Sequence, residues 1–344
     1  MARRRHPHRN QALVIAALII ALPVAAVFAG RAWYAASLRP VQPDTAGRGG
    51  ENFKVEEKAT AGEIGRDLHD AGLIRSARAF AIYCRLSGVS SRLHSGMYRF
   101  SPAMTVPEIA TALAEGKISA IRLTIPEGWT IRQIAEHLER LHFCKAADFI
   151  AAARPYAVKG KVSFRPPAVD TLEGYLFPAT YVFNFGLPLE DAVTQMAREF
   201  DTEFLSRNLD EVKRSGLTLQ QIVTLASLVE REARLDEERP IIAGVLMNRL
   251  RTGMKLQCDA TVQYALPEHK SRLTYDDLKV QSPYNTYLHK GLPPGPIANP
   301  GLASLEAALR PARTPYLYYV AKGDGGHIFT KTYEEHLKAS GKRK

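Results

Sequence analysis

Two glutamates near the end of a predicted helix are the first candidates for proton-transfer chemistry. Residues 218–240 carry an apolar stripe at helical spacing, which is typical of an amphipathic helix. At about 100° per residue, Glu230 falls on one edge of this stripe and Glu232 on the opposite edge. A carboxyl at such an edge is partly desolvated, and this suits it to act as a general acid near neutral pH. The spacing does not choose between the two glutamates, and a boundary glutamate paired with Arg231 or Arg234 is the simpler interpretation.

A second candidate is the stretch of residues 282–300, which contains too much proline and glycine for a regular element and predicts a rigid loop. We expect this loop to present four side chains suited to a sugar, namely Tyr284, Asn285, Thr286 and Tyr287. Aromatic rings stack on the CH faces of sugars, and amide and hydroxyl groups pair with sugar hydroxyls. A purely structural Ω-loop is the alternative interpretation.

Other kinds of chemistry are disfavoured by the spacing of the reactive residues. The cysteines Cys84, Cys144 and Cys258 form no C-x-x-C pair, which argues against a disulfide framework or a zinc ribbon. The glycines of residues 323–326 are followed by no helix and no Lys-Ser/Thr pair, so they do not form a phosphate-binding loop. His327 has no companion at metal-binding spacing. We therefore expect neither a metal nor another cofactor.

The formal net charge of +11 is concentrated at the two ends of the chain. Residues 1–40 contain six arginines and no acidic residue, and the tail of residues 338–344 adds four cations and no acid. The central part is therefore close to neutral and lacks the basic surface of a nucleic-acid-binding domain. We expect no nucleic-acid partner.

The N-terminal segment predicts a single membrane anchor. Residues 12–30 are 19 consecutive uncharged residues, which span roughly 28 Å as a helix. The arginines of residues 1–11 favour a cytoplasmic tail, and residues 31–52 read as a tether. A cleaved signal peptide with its site near residues 27–29 is the alternative. Both interpretations place the rest of the chain outside the cytoplasm, and the first gives a single-pass protein of the cytoplasmic (inner) membrane with a periplasmic body.

A recurring pattern, Thr-x-x-Glu/Gln-Ile, predicts where four helices begin. It starts at Thr60, Thr105, Thr130 and Thr218. In this capping box the threonine hydroxyl accepts the backbone N–H three residues on, and the Glu or Gln side chain accepts the threonine N–H. Short strand-like runs lie between the first helices, so the sequence predicts an α+β fold.

Six stretches in succession give the chain a specific resemblance. They are TIPEGWT at 124–130, LEGYLFPATY at 172–181, LASLVEREA at 225–233, VLMNRLRTGMKLQCDATVQYAL at 245–266, SPYNTYLHKGLPPGPIANPG at 282–301 and GDGGHIFT at 323–330. In this order they resemble the MltG-type, YceG-like endolytic murein transglycosylases, membrane-anchored enzymes that cut peptidoglycan glycan strands. The resemblance implies a small LysM-like α+β subdomain at residues 53–120, an α+β catalytic domain at 121–337 and a basic tail at 338–344.

The resemblance also implies roles for individual residues. Glu230 matches the essential acid of the family, and Glu232 becomes its neighbouring partner. Besides the four loop residues, the expected substrate-binding residues are Glu173, Tyr175, Glu232, Gln257 and Asp259. Cys258 should not be interpreted as a nucleophile.

The implied reaction needs only one carboxyl, because the substrate supplies the nucleophile. Glu230 would protonate the oxygen between N-acetylmuramic acid and N-acetylglucosamine and then take the proton of the muramoyl C6 hydroxyl, which closes a 1,6-anhydro ring. The implied partners are glycan strands, the cytoplasmic membrane and peptidoglycan polymerases. Two alternatives stay open: a water-using muramidase, and a non-catalytic scaffold that binds peptidoglycan at the membrane.

Overall fold

The computed structural model describes residues 7–43, 50–117, 120–165, 167, 169–268 and 270–341, with side chains from residue 22 onward. Its contacts divide the chain into two compact units. The first is Met1–Ile121 with Asn184–Gly186, and the second is Arg122–Phe183 with Leu187–Lys344. The domain roles assigned from the sequence stay predictions.

The N-terminal residues form helix α1, Pro7–Ser37. This helix contains the predicted anchor, residues 12–30, but the side chains before Leu22 lie outside the described residues. Within the part of the chain that the structure describes, no helix has the length and apolar character required to cross a membrane. The anchor therefore stays a prediction.

The rest of the first unit packs three helices on a small sheet. Its elements are β1 (Glu51–Val55), α2 (Ala61–Asp70), α3 (Ala77–Leu86), β2 (Gly96–Phe100) and α4 (Val106–Ala114). Strands β1 and β2 are antiparallel, with Phe53 opposite Tyr98. The buried core of this unit includes both of these rings together with apolar side chains from all three helices.

The second unit is mainly helical. Strands β3 (Ala120–Thr124) and β4 (Thr180–Asn184), most of whose residues belong to this unit, pair with each other, and strands β5 (Tyr318–Ala321) and β6 (His327–Thr330) form an antiparallel hairpin. Its helices are α5 (Ile131–Arg140), α6 (Ala146–Ala152), α7 (Leu189–Phe200), α8 (Ser206–Arg214), α9 (Leu219–Glu232), α10 (Arg239–Arg251), α11 (Asp259–Ala265), α12 (Leu302–Leu309) and α13 (Tyr333–Ala339). The mixed α+β class is therefore confirmed.

The four predicted helix starts are also confirmed. Thr60, Thr105, Thr130 and Thr218 are the N-caps of α2, α4, α5 and α9, and each forms the complete capping box. At α9, for example, the N–H of Gln221 donates to the Thr218 hydroxyl at 3.2 Å, and the Thr218 N–H donates to the Gln221 side chain at 2.9 Å. A further box at Thr332 begins α13 and was not predicted.

Helix α9 differs from its sequence-based interpretation. The spacing predicts one apolar stripe, but residues 222–229 are all buried, including Thr224 and Ser227. The helix is enclosed because α10, α11 and α12 pack against it. Its small polar residues satisfy their hydroxyls on the helix itself: Ser227 donates to the Thr224 carbonyl at 2.7 Å. The glutamates thus lie at the end where a buried helix terminates, not along the border of an exposed face.

We expect Thr218→Ala to lower the free energy of unfolding by about 1 kcal/mol, because the Gln221 N–H loses its acceptor. Thr218→Ser keeps a hydroxyl at the same place and should retain most of that stability. Urea unfolding followed by circular dichroism measures both variants. Equal losses in the alanine and serine variants would contradict a contribution from the capping hydrogen bond.

Candidate active site

Glu230 lies in the last turn of α9, and its side chain is only 7% exposed. Its Oε2 accepts the backbone N–H of Gly301 at 3.0 Å, and its Oε1 lies 3.4 Å from Nη1 of Arg239. Gly301 is the N-cap of α12, so the carboxylate also lies at the positive end of a helix dipole. Each carboxylate oxygen therefore accepts from one donor, and the group is held in a fixed orientation.

The guanidinium of Arg239 is fixed by other partners as well. Arg239 is 8% exposed and begins α10. Its Nη1 donates to the Ser304 hydroxyl at 2.7 Å, and its Nε donates to Asp236 at 3.0 Å. The sequence offers Arg231 or Arg234 as the partner of Glu230, and the structure corrects this to Arg239. Arg231 instead donates to the carbonyl of Gly128 at 3.3 Å.

A second carboxyl, that of Glu127, lies at the same place and was not singled out from the sequence. Glu127 is an exposed residue of the turn between β3 and α5. A Cβ atom built on Gly301 would lie 2.1 Å from the Glu127 Cδ, so the carboxyl packs directly on the Gly301 backbone. Partial burial raises the pKa of Glu127, and the charge of Glu230 raises it further, against the opposing charge of Arg239.

The turn that carries Glu127 is held by Asn299. The Gly128 N–H donates to the Asn299 carbonyl at 2.8 Å, and the Asn299 N–H donates to the Trp129 carbonyl at 2.8 Å. The Asn299 side chain is completely buried, and its Nδ2 also donates to the Trp129 carbonyl, at 2.9 Å. Its Oδ1 accepts the N–H groups of Gly174 and Leu176 at 2.9 and 3.0 Å. One amide thus connects three chain segments beside the carboxyl pair.

Glu173 belongs to this support. It is 3% exposed, accepts the Ile131 N–H at 3.0 Å and the Asn299 side chain at 3.0 Å, and also accepts the Tyr264 hydroxyl at 3.4 Å. Burial raises the pKa of Glu173 to about 8, although these hydrogen bonds oppose the shift. Glu173 therefore braces the start of α5, and its contact with substrate stays a prediction.

Tyr175 also lies in the interior, and its role in substrate binding stays a prediction. It is 1% exposed, and its ring stacks on Phe164 and meets Phe200 edge-to-face at centroid distances of 5.4 and 5.3 Å. Such a ring contributes to the apolar core, because its area is already buried against other aromatic side chains.

The loop after residue 282 presents fewer groups than the sequence predicts. Asn285 and Thr286 are 0% and 2% exposed. The Asn285 amide donates to the carbonyls of Leu278 and Val280 at 3.0 and 2.9 Å, and the Thr286 hydroxyl accepts the Cys258 N–H at 3.0 Å. Both side chains therefore hold the loop together, as the structural-loop alternative expects, and their role in binding a sugar stays a prediction.

The two tyrosines of this loop are half-buried. The ring of Tyr284 lies 4.9 Å from that of Tyr264, and the Tyr287 hydroxyl donates to Asp259 at 2.5 Å. Both keep part of their surface accessible, so a role in substrate binding stays a prediction for them. The sequence treats the four loop residues alike, whereas the structure divides them into two supports and two half-exposed aromatics.

Glu232 belongs to a different cluster from Glu230. The hydroxyl of Tyr319 hydrogen-bonds to its carboxyl, burial raises the pKa of this carboxyl to about 7, and Asp259 adds to the shift. Gln257, which comes two residues before Asp259, is exposed and has a backbone φ of 54°. Burial also raises the pKa of the Cys258 thiol well above its ordinary value, which does not suit a nucleophile. The binding roles of Glu232, Gln257 and Asp259 stay predictions.

The structure also shows a buried hydrogen-bonded contact between His327 and Glu238 that the sequence does not reveal. Nδ1 of His327 lies 2.6 Å from Oε2 of Glu238, and the His327 N–H donates to the other oxygen at 2.8 Å. This pair ties the β5–β6 hairpin to the turn before α10. Among the described residues, no three His, Cys, Asp or Glu side chains are placed to hold a metal ion.

The comparisons with known proteins point to one family. The model of the YceG-like family matches residues 53–342. A Bacillus subtilis protein named endolytic murein transglycosylase is 37% identical over 319 residues, covering 89% of this chain and 87% of that protein. A Streptococcus pneumoniae protein of the same name is 29% identical, covering 94% of this chain and 64% of that protein. A crystal structure of a yceG-like protein from Listeria monocytogenes aligns with a TM-score of 0.59 at 37% identity, covering 84% of this chain and 99% of that one.

The placement of Asn285 predicts a loss of stability and not a loss of binding. Asn285→Ala leaves two buried carbonyls and the Tyr287 N–H without their partner, which should lower the free energy of unfolding by roughly 2–4 kcal/mol. Tyr284→Ala, from the same loop, should lower it much less, because that ring is only half-buried. Thermal and urea unfolding compare the two. An alanine at 285 that leaves stability unchanged would contradict the assignment of this side chain to the support of the loop.

Proposed function

This chain belongs to the YceG-like family, and from that premise we propose that it is an endolytic murein transglycosylase whose chemistry depends on Glu230. The family model matches most of the chain, and the relative that is 37% identical carries this name. The observation that carries the residue assignment is the placement of Glu230 at the end of a buried helix, with each of its oxygens on one fixed donor. The substrate is the glycan strand of peptidoglycan.

The reaction is a lytic cleavage of the bond between N-acetylmuramic acid and N-acetylglucosamine. A proton must reach the glycosidic oxygen as the bond breaks, and the muramoyl C6 hydroxyl must lose one as it attacks C1. The products are a strand ending in 1,6-anhydro-muramic acid and a strand beginning with N-acetylglucosamine, and no water is consumed. In the simplest scheme Glu230 delivers the first proton and accepts the second, so it ends each cycle in its starting state.

The fixed orientation of Glu230 suits this task. Proton transfer requires a carboxyl oxygen within hydrogen-bonding distance of the group that it serves, and a freely rotating side chain meets that geometry only part of the time. The backbone of Gly301 and the guanidinium of Arg239 hold Glu230 before any substrate binds. Gly301 is the N-cap of α12, and Arg239 is the first residue of α10. Neither donor can therefore move away without disturbing the helix that it begins.

The cellular setting follows from the N-terminal sequence. We propose that residues 12–30 anchor the chain in the cytoplasmic membrane, with residues 1–11 inside and the second unit in the periplasm. Cutting strands beside the membrane would act on newly made glycan, and peptidoglycan polymerases are the corresponding partners. The LysM-like character of residues 53–120 belongs to the same proposal.

We expect Glu230→Gln to lower the rate of strand cleavage by at least 10²–10⁴-fold, because the amide keeps the shape of the side chain but cannot exchange a proton. Glu232→Gln should lower the rate much less, because Glu232 lies two residues on in the same helix, in the separate cluster around Tyr319. Mass spectrometry of products from purified glycan strands, with circular dichroism of each variant, measures both effects.

The products decide among the alternatives. Anhydro ends from the wild type support the proposal, whereas reducing ends would show a water-using muramidase. Unchanged cleavage by a folded Glu230→Gln variant would contradict the role of Glu230. Absence of any cleavage by the wild type would favour the non-catalytic scaffold.

We expect the full-length chain to sediment with membranes and the fragment 31–344 to stay in the soluble fraction with the same cleavage activity. The reason is that the uncharged run at residues 12–30 is long enough to span a bilayer. Fractionation after carbonate extraction measures this, with detergent release as the control. A fragment that sediments as fully as the whole chain would contradict the anchor.

A further inference from the structure

We propose that Glu127 is a second catalytic carboxyl, which protonates the glycosidic oxygen while Glu230, as a carboxylate, takes the proton of the C6 hydroxyl. This assignment rests on the proposed function and divides between two residues the work that the simplest scheme gives to one. It follows from three observations: the donors around Glu230, the exposure of Glu127, and the contact that both residues make with Gly301.

The surroundings of Glu230 suit the role of a base. Both of its oxygens already accept from donors that cannot accept in return, namely the Gly301 N–H at 3.0 Å and the Arg239 guanidinium at 3.4 Å. Both donors are fixed by α12 and α10, and each carboxylate oxygen keeps a second lone pair that can accept the proton of the C6 hydroxyl without displacing them.

The exposure of the two carboxyls also assigns the role of acid to Glu127 and the role of base to Glu230. Only 7% of the Glu230 side chain is exposed, whereas Glu127 is an exposed residue. An acid must reach the oxygen that joins two sugar rings of a bulky polymer, and the more accessible carboxyl can do so more readily. The buried carboxyl needs only to meet a single hydroxyl of the sugar that has been cleaved.

Gly301 places the two groups together. Its N–H binds Glu230, and the open face of its Cα receives the carboxyl of Glu127. A side chain at this position would occupy the place of that carboxyl, since its Cβ would come within 2.1 Å of Glu127 Oε1. The two carboxyls therefore border one residue.

The charges around Glu127 favour its protonated form. Desolvation is the largest cause of its raised pKa, and the negative charges of Glu230 and Asp236 add to it. Arg239 is the opposing charge. Arg231, the other guanidinium beside this turn, is engaged by the carbonyl of Gly128 at 3.3 Å. A like charge in the same site is a recognised reason for one carboxyl of a pair to retain its proton.

The proton balance of this scheme is complete. Glu127 gives its proton to the glycosidic oxygen as the bond from C1 to that oxygen breaks, and it becomes a carboxylate. The C6 oxygen forms a bond to C1 and loses its proton to Glu230. Transfer of that proton from Glu230 to Glu127, directly or through one water, restores the starting state after the products leave. No oxidant, metal or external nucleophile is consumed.

The test uses two substrates and the full-length chain in detergent. The first is purified glycan strand, whose leaving group needs a proton. The second is a strand fragment in which 4-nitrophenol replaces N-acetylglucosamine on the terminal muramic acid, and this leaving group departs without one. Glu127→Gln should lower the rate on strands by 10²–10⁴-fold and lower it less than 10-fold on the nitrophenyl substrate. Glu230→Gln should lower the rate on both.

Two further variants control for structure. Glu136→Gln changes an exposed glutamate of α5 and should leave both rates unchanged. Gly301→Ala keeps an ordinary backbone conformation, with φ of −74°, but its methyl group displaces the Glu127 carboxyl. It should therefore reproduce the strand-specific defect of Glu127→Gln without loss of fold by circular dichroism. With the wild type, activity on strands should fall as the pH rises and Glu127 ionises.

Three outcomes would overturn the assignment. They are a Glu127→Gln variant as active as the wild type on strands, a variant equally defective on both substrates, and an unchanged alkaline fall of the pH profile in that variant. Failure of the proposed function looks different, because it appears as the absence of anhydro products from the wild type. Reducing-end products with the same pattern of variant defects would keep Glu127 as the acid and replace the C6 hydroxyl by water.

Discussion

The buried amide of Asn299 is the interaction on which the rest of the site depends. It donates to the Trp129 carbonyl and to Glu173, and it accepts the N–H groups of Gly174 and Leu176. Both the N–H groups and the oxygen of this amide therefore have partners. An amide buried without partners would lower the free energy of unfolding by several kcal/mol. The turn with Glu127 and the residue Gly301 both lie within two positions of these bonds. The backbone segments that carry the two carboxyls are thus held in place by a buried amide and its hydrogen bonds to the backbone.

Two glutamates of the same helix show how strongly surroundings decide a role. Glu230 meets a guanidinium, a backbone N–H and the start of α12, whereas Glu232 meets a tyrosine hydroxyl and the charge of Asp259. Burial raises the pKa of Glu232 to about 7, so its neutral form persists near physiological pH. A raised pKa in the folded state means that its contribution to stability is fully present below about pH 4.5 and declines as the pH rises towards 7. Glu232 therefore makes the stability of the fold depend on pH, which the spacing of the sequence does not reveal.

What could be predicted from the sequence is what depends on local interactions. The capping boxes at Thr60, Thr105, Thr130 and Thr218 involve residues three apart, and each forms as predicted. The amphipathic interpretation of α9 is wrong because other helices enclose it, which no local pattern records.

The same distinction applies to the residues of the site. Asn285 has the composition of a sugar-binding loop residue, but its amide is used on the carbonyls of Leu278 and Val280. Glu127 stood within a motif that the sequence analysis quoted, yet its importance depends on a contact with Gly301, far along the chain. The sequence signals Glu127 only through a chemical requirement, since most glycoside hydrolases use two carboxyls. A requirement of mechanism can therefore identify a residue that spacing leaves unnoticed, provided that the fold brings it to the right place. Here the absence of a side chain at Gly301 creates that place, because the Cα face that lacks a Cβ is the surface on which Glu127 rests.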